Sequence, residues 1–218
     1  MNTSKTAFGL HETSRVIIPG FYFTTLLFFL LWSFRPGFLA SLGDSIGLLI
    51  LFVFMTVVSG LTMYAKESTK RRKAFQENQP SLWLQNKART MSKVQPLDDS
   101  DAQRLYFYIL NNHVPPIFHE KIFFFGTFYH IMILMRRTSF WFAMFATAAV
   151  LSQLAMSVPL NEQQASIAFT LAVWVIYLLN VRYNKADRKM QENYQDQIFW
   201  LELNSDLVEQ ILRKRRTP

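Results

Sequence analysis

Two histidines and a glutamate near the middle of the chain are the residues whose types could do metal chemistry. They lie in the segment His113-Val-Pro-Pro-Ile-Phe-His119-Glu120. Imidazole and carboxylate groups are good ligands for zinc or iron. The two prolines make the spacing of the histidines non-helical, however, and a di-iron membrane enzyme would need more ligands than the chain offers. We therefore expect a structural turn here and assign no catalytic, cofactor-binding or metal-binding residue.

The rest of the sequence offers little else for an enzyme. There are no cysteines and only 7 glycines, and the nucleophile-elbow, phosphate-loop and dinucleotide-binding motifs are all absent. A third histidine, His130, lies in an aromatic run and is expected to be a satisfied interfacial residue, with a pH-sensing role as the alternative. Non-enzymatic function is therefore the leading hypothesis, and a membrane-bound enzyme acting on lipid at the cytosolic face is the runner-up.

Four uncharged stretches predict where the chain crosses a membrane. At about 1.5 Å per residue, each is long enough as a helix to cross roughly 30 Å of hydrocarbon. We expect spans at about 16–34, 45–65, 138–158 and 163–181. The predicted fold is an all-α polytopic membrane protein with an N-terminal hairpin (1–65), a basic segment (66–137), a second hairpin (138–181) and an amphipathic C-terminal helix (182–218).

The distribution of cations predicts the orientation. Of the 23 Lys and Arg residues, Arg35 alone lies in a connection between two paired spans. The positive-inside rule then places both termini and the basic segment in the cytoplasm, with the protein in the cell inner membrane. The net charge of +8 is explained by this topology and by attraction to anionic lipids of the inner leaflet, so nucleic acid is not expected as a partner.

The cytosolic segments are predicted to be helical and to lie close to the membrane. The run Asp98-Asp99-Ser100-Asp101 offers N-cap candidates for a helix through Asn111. The uncharged run 122–135 is too short to span, so it is either an interfacial or re-entrant helix or the extension of span three as one long helix. The cations that could contact lipid headgroups are Lys70, Arg71, Arg72, Lys73, Arg136, Arg137, Arg213, Lys214, Arg215 and Arg216.

The C-terminal tail has an apolar seam. The seam residues recur at helical spacing on one predicted helix of about 27 residues, and we expect the seam to pack on a neighbouring chain, on a partner or on the central segment. They are Trp200, Leu203, Leu207 and Ile211.

Small and polar residues in spans two and three have two interpretations. Small residues spaced four apart allow helices to pack closely in lipid; alternatively, the polar side chains line a path with a hydrophobic constriction. Gln153 would be the most informative of them, because an amide at mid-membrane needs a hydrogen-bonding partner. The set consists of Thr56, Ser59, Gly60, Thr62, Ala148, Ser152 and Gln153.

These features favour a small homo-oligomeric inner-membrane protein that acts as an anchor, sensor or pore subunit. Its cytosolic helices would bind a soluble protein partner, and signals would be carried by rearrangement of packed helices. Compact membrane subunits of this layout accompany cytosolic effectors in bacterial antiviral defence systems. The similarity of layout alone suggests that this protein belongs to such a system.

Overall fold

The computed structural model describes residues 3–41, 45–74, 79–92, 94–183 and 186–215, and this part of the chain forms nine α-helices and no strand. Contacts divide the chain into two compact units. Unit 1 comprises Met1–Ala7, Thr69–Gly126 and Asp187–Pro218, and unit 2 comprises Phe8–Ser68 and Thr127–Ala186. The helices are α1 Thr3–Phe34, α2 Pro36–Ser41, α3 Ser45–Ala74, α4 Pro80–Thr90, α5 Asp99–Asn112, α6 Pro116–Ala155, α7 Leu160–Tyr183, α8 Ala186–Leu203 and α9 Ser205–Lys214.

Four of these helices are long and apolar enough to cross a membrane, which confirms the all-helical class and the four candidate spans. They are α1, α3, α6 and α7, the last in a stretch that continues into α8. Residues 122–135 belong to α6, a single helix of 40 residues, so the chain adopts the continuous helix that was the second of the two alternatives.

The predicted third span continues to residue 158, but α6 ends at Ala155. Ser157 has a φ of 57°, a left-handed conformation that cannot continue a right-handed helix. The amide of Val158 then donates to the carbonyl oxygen of Gln153 at 3.1 Å, which satisfies a carbonyl at the helix end. Gln153 therefore lies in the last turn of α6, and its position at mid-membrane stays a prediction.

In unit 2 the backbones of α1 and α3 meet at two glycines. A Cβ atom on Gly20 would lie 2.0 Å from the carbonyl oxygen of Thr56, and a Cβ atom on Gly60 would lie 2.2 Å from that of Val16. Only glycine fits at either position. Such close approach is how helices associate in lipid, where neighbouring acyl chains are as apolar as the side chains themselves.

The remaining packing of unit 2 joins α1 to α6 and α7. A buried apolar group, which we call the apolar belt, consists of Leu26, Phe142, Ala143 and Val173. Phe23 of α1 meets Phe142 of α6 edge to face, with ring centroids 5.3 Å apart. The outer faces of the helices in unit 2 leave large apolar side chains exposed, among them Phe54, Phe145 and Leu178. A bilayer is the solvent that suits such a surface.

Unit 1 has a separate apolar core. Leu84 of α4, Ile109 of α5, Leu201 of α8 and Val208 of α9 are buried together in it. α5 begins as predicted, because the Asp98 carboxylate accepts the amide of Asp101 at 2.6 Å as an N-cap. This is the inverse of unit 2, since here the apolar side chains are buried within the protein.

Long-range polar contacts add to this core. Gln85 donates to the Asp99 carboxylate at 2.7 Å, and Lys87 pairs with Glu209 at 2.8 Å. The hydrogen bond and charge of Lys87 hold the pKa of the Glu209 carboxyl below its usual value. The first contact joins the consecutive helices α4 and α5, and the second joins α4 to α9, which is distant in sequence.

The tail forms two helices, so the prediction of one continuous tail helix was wrong. α8 ends at Leu203 and α9 begins at Ser205, because Asn204 adopts a non-helical conformation and its side chain donates to the carbonyl oxygen of Trp200 at 2.8 Å. The break turns Val208 and Leu212 into the core. Of the predicted seam, Trp200 and Ile211 pack against this core, Leu207 is half-buried, and Leu203 is exposed.

Gly20→Ala tests the backbone contact between α1 and α3. The new methyl group would clash with the Thr56 carbonyl oxygen, so we expect a loss of about 1–3 kcal/mol in unfolding free energy, measured in detergent micelles or bicelles. Gly9→Ala in the same helix is the matched control, because nothing lies within 4 Å of a Cβ there. It should be neutral or slightly stabilising, since Ala is the better helix former. Equal effects of the two substitutions would contradict the close packing.

Candidate functional site

One group of charged and polar side chains is gathered inside unit 2. We call it the charged cluster; it consists of Glu12 and Arg15 of α1, Tyr64 of α3, and Thr127 and His130 of α6. It lies at the end of unit 2 away from the connections between α1 and α3 and between α6 and α7. Ionisable residues in such surroundings are costly and usually have a function.

The Glu12 carboxylate is the centre of the charged cluster. One oxygen, Oε1, lies 2.7 Å from a terminal guanidinium nitrogen of Arg15. The other oxygen, Oε2, accepts the hydroxyl of Tyr64 at 2.6 Å. A single carboxylate thus holds a cation of its own helix and a phenol of α3. Hydrogen bonds to a charged group of this kind are about twice as strong as neutral ones.

The contacts to α6 complete the charged cluster. The Nε–H group of Arg15 donates to Oγ1 of Thr127 at 3.1 Å. The His130 ring meets the Tyr64 ring edge to face, with centroids 5.2 Å apart and an interplanar angle of 68°. Three helices therefore meet through side chains of five residues. Arg15 and Tyr64 each face α6, and Glu12 connects the two.

The register of α1 against α3 brings these residues together. The helices run in opposite directions with Gly20 against Thr56 and Val16 against Gly60. One turn beyond Val16 on α1 is Glu12, and one turn beyond Gly60 on α3 is Tyr64, so the same antiparallel alignment places Glu12 opposite Tyr64. The Gly20 and Gly60 contact is thus a condition for the hydrogen bond between Glu12 and Tyr64.

The burial of its side chains determines how much the charged cluster contributes to stability. Arg15 is 7% exposed and His130 is 1% exposed. A buried ion pair adds little stability by itself, because desolvation offsets the attraction, but removal of one partner leaves an uncompensated charge. The charged cluster is therefore a junction that is stable when complete and costly when one member is lost.

The residue types of the charged cluster restrict the chemistry that it can perform. Within the described part of the chain, no three His, Asp or Glu side chains are grouped as they would be around a metal ion. The contacts of the charged cluster are an ion pair within α1, and hydrogen bonds and ring packing between helices. Such an arrangement can hold helices in one position and can release them when a charge changes.

The two histidines that were considered as metal ligands, His113 and His119, have separate aromatic neighbours. The His113 ring lies 5.8 Å from the Tyr108 ring, and the His119 ring lies 4.6 Å from the Phe123 ring. His113 follows the last residue of α5, and His119 lies in the first turn of α6, as expected for a turn set by the two prolines.

The small and polar residues of the second hairpin make contacts within that hairpin. The Gln153 amide oxygen accepts the hydroxyl of Ser166 at 2.9 Å, and Ser152 donates to the carbonyl oxygen of Ala149. Ala148 is exposed on α6.

The small and polar residues of α3 have mixed surroundings. Thr56 and Gly60 lie at the contact with α1, and Ser59 donates to the carbonyl oxygens of Thr56 and Gly20. Thr62 is exposed and bonds to the carbonyl oxygen of Val58 in its own helix. The assignment of the whole set to packing or to a pore stays a prediction.

Several of the predicted lipid-contacting cations have ion-pair partners in unit 1. Arg215 pairs with Asp101, and Arg213 lies 3.7 Å from Glu209. Arg136 is half-buried and Arg137 is exposed, both on α6 in unit 2, and Lys214 is exposed at the end of α9. The side chains of Lys70, Arg71, Arg72 and Lys73, and the whole of Arg216, lie outside the described residues.

Sequence reasoning missed most of the charged cluster. Glu12, Arg15, Tyr64 and Thr127 were not singled out, and His130 was expected to be interfacial. One signal was present, because Glu12 and Arg15 are spaced as an i, i+3 ion pair immediately before an uncharged run. Nothing in the sequence indicated that Tyr64 and Thr127 would be their partners.

Comparison with known proteins gives no match: no family model, no curated protein and no solved structure is similar to this chain at a significant level. The function is therefore argued from the geometry.

Glu12→Gln tests the charged cluster. The amide keeps the size of the side chain but leaves the Arg15 charge uncompensated. We expect a loss of about 2–4 kcal/mol in unfolding free energy, less than for a fully buried pair because Glu12 is partly exposed. Unfolding of the protein by urea or SDS in bicelles measures this loss of unfolding free energy. Glu162→Gln, in the exposed first turn of α7, is the control and should cost less than about 1 kcal/mol. Similar losses in both variants would contradict the role given to Glu12.

Proposed function

We propose that this chain is a membrane-embedded anchor and sensor that forms homo-oligomers and binds a cytosolic protein partner. Unit 2 is the membrane part, and unit 1 is the part that the partner recognises. Both termini lie in the cytoplasm, and anionic lipids attract the exposed cations. The protein works by rearranging packed helices rather than by catalysis.

The charged cluster is the observation that carries the sensor part of this proposal. A carboxylate that holds two helices at once gives a bundle two states, one with the contacts made and one with them broken. Any event that neutralises Glu12 or draws Arg15 away would favour the second state. A ligand or partner shifts such an equilibrium only through different contacts with the two states.

The distribution of apolar surface supports the anchor part. Unit 2 buries polar side chains and leaves Phe54, Phe145 and Leu178 exposed, which is the pattern of a protein whose solvent is lipid. Unit 1 buries its apolar side chains around Leu84, Leu201 and Val208, as a protein in water does. One chain is thus adapted to two solvents.

The surface of α8 supports the proposal that the chain binds a cytosolic protein partner. Phe199 and Leu203 are one helical turn apart, and Leu203 is 69% exposed. Large apolar side chains on a unit with a complete core are candidates for a protein interface. Deletion of the tail would be a poor test of this surface, since it would also remove Leu201, Val208 and Leu212 from the core.

The lipid-enzyme alternative receives no comparable support. Its proposed residues, His113 and His119, have different aromatic neighbours, and the hydrogen bonds of the charged cluster hold helices together. A chemical role would also require a nucleophile or an activated water, and neither can be assigned from these side chains.

Phe199→Ser combined with Leu203→Ser tests the partner surface. We expect the amount of cytosolic protein that co-purifies with the full-length chain in mild detergent to fall at least about tenfold in the double variant. The reason is that apolar anchors dominate most interfaces. Quantitative mass spectrometry of the purified complexes measures this loss.

Glu202→Gln in the same helix is the matched control, since it changes an exposed side chain without removing apolar surface. It should retain the partner, and all variants should retain the homo-oligomer if that interface lies elsewhere. Equal recovery of every co-purifying protein with the double variant and with the control would overturn the assignment of this surface.

A further inference from the structure

Three arginines lie at the same level of the hairpin formed by α6 and α7. The Phe140 ring of α6 meets the Tyr177 ring of α7, with centroids 5.4 Å apart. Arg136 precedes Phe140 by one helical turn. Arg182 follows Tyr177 by little more than one turn, and because the two helices are antiparallel, both arginines lie at the same level. Arg137, the next residue on α6, is exposed, as is Arg182.

Large amphipathic aromatic side chains accompany these arginines. Trp141 is 58% exposed and lies one turn from Arg137 on the same face of α6. Tyr183 is exposed, and its ring centroid lies 5.9 Å from the guanidinium carbon of Arg182. Trp and Tyr beside basic residues are typical of the zone where the headgroups of a bilayer begin. We call this surface the arginine surface; it consists of Arg136, Arg137, Trp141, Arg182 and Tyr183.

The packing of α1 against α6 determines the depth of the arginine surface. The two helices run in the same direction, and the rings of Phe23 and Phe142 meet with centroids 5.3 Å apart. Counted back by the same number of residues along both helices, Arg137 is level with Ile18. Ile18 lies inside the uncharged stretch 16–34 of α1. The arginine surface is therefore level with a part of α1 that is suited to hydrocarbon.

The difference in depth is larger beside α3. Val16 of α1 lies against Gly60 of α3. Because these helices are antiparallel, the level of Ile18 corresponds to Val58 on α3. From Val58 to Lys66, α3 rises by eight residues, or about 12 Å, before its first charged residue. The arginine surface thus lies about 12 Å deeper than the cation that ends the uncharged stretch of α3.

Cations at this depth favour a nearby anion. A charged side chain within the hydrocarbon is costly, and a bilayer reduces the cost by thinning locally around it. The guanidinium group of Arg also matches phosphate geometry, since it can donate two parallel hydrogen bonds. Within 127–183 the sequence has one acidic residue, Glu162, at the opposite end of the hairpin. The end that carries the arginine surface is therefore electropositive.

Resting on the membrane placement proposed above, we propose that the arginine surface binds the phosphate of an anionic phospholipid. The guanidinium groups of Arg137 and Arg182 donate to the phosphate, and Trp141 packs beside the glycerol region. The acyl chains lie along the exposed apolar face that includes Phe145 and Leu178. A zwitterionic lipid fits less well, because its own cation would be repelled by the arginines. Basic sites between membrane helices commonly hold anionic headgroups in this way.

Arg137→Gln combined with Arg182→Gln tests the arginine surface. The full-length protein is reconstituted into vesicles of equal parts phosphatidylcholine and phosphatidylglycerol and then extracted in mild detergent. Native mass spectrometry counts the lipids that remain bound. We expect the wild type to retain phosphatidylglycerol in preference to phosphatidylcholine. The double variant should retain at least about tenfold less phosphatidylglycerol, because each basic residue near an anionic lipid strengthens binding several-fold.

Arg89→Gln combined with Arg104→Gln is the matched control. It removes the same charge from exposed positions of unit 1 and should retain phosphatidylglycerol as the wild type does. Circular dichroism and size-exclusion chromatography establish that each variant is folded. If the double variant of the arginine surface does not fold, Arg182→Gln alone changes an exposed side chain and should still lower the retention of phosphatidylglycerol.

Equal retention of phosphatidylglycerol by the folded variant and the control would overturn this inference alone. Equal retention of the two lipids by the wild type would do the same. Displacement of the bound lipid by excess inorganic phosphate would also overturn it, because it would show a site for a free anion. Failure of the wild type to insert into vesicles would instead overturn the membrane part of the proposed function, and this inference with it.

Discussion

The contact between the backbones of α1 and α3 determines most of the geometry of unit 2. Two glycines face the opposing helix where any side chain would clash with a carbonyl oxygen. This contact fixes the register of the two antiparallel helices, because a shift of either helix by one residue would bring a side chain into the place of a glycine. With the register fixed, Glu12 meets Tyr64, and the position of α6 against both helices completes the charged cluster.

The two units are stabilised by different physics. In unit 1, burial of Leu84, Ile109 and Leu201 removes apolar surface from water, which is the main driving force of folding there. For a unit 2 that lies in lipid, as we propose, this driving force is small, because lipid is as apolar as the side chains. Close packing and interhelical hydrogen bonds, such as that of Tyr22 with Ser139, must therefore contribute more. Polar side chains inside unit 2 thus help to specify how its helices associate.

The sequence was sufficient to predict the features that depend on local composition. Uncharged stretches of the right length identified the four long apolar helices, and Asp98 identified the start of α5. It was insufficient where the outcome depends on packing. The break at Asn204 turns Val208 and Leu212 into the core of unit 1. The apolar pattern of the sequence continues across this break and therefore does not predict it. The partners of Arg15 depend on the contacts between three helices, and no local pattern contains this information.

A double-mutant cycle between Glu12→Gln and Tyr64→Phe measures most directly whether the carboxylate joins α1 to α3. Both substitutions preserve side-chain size, and each removes one half of the same hydrogen bond. Unfolding free energies of the wild type, the two single variants and the double variant in bicelles yield the coupling energy. If the junction exists as described, the coupling is about 1 kcal/mol or more, as for a hydrogen bond to a charged group. Additive effects of the two substitutions would contradict it.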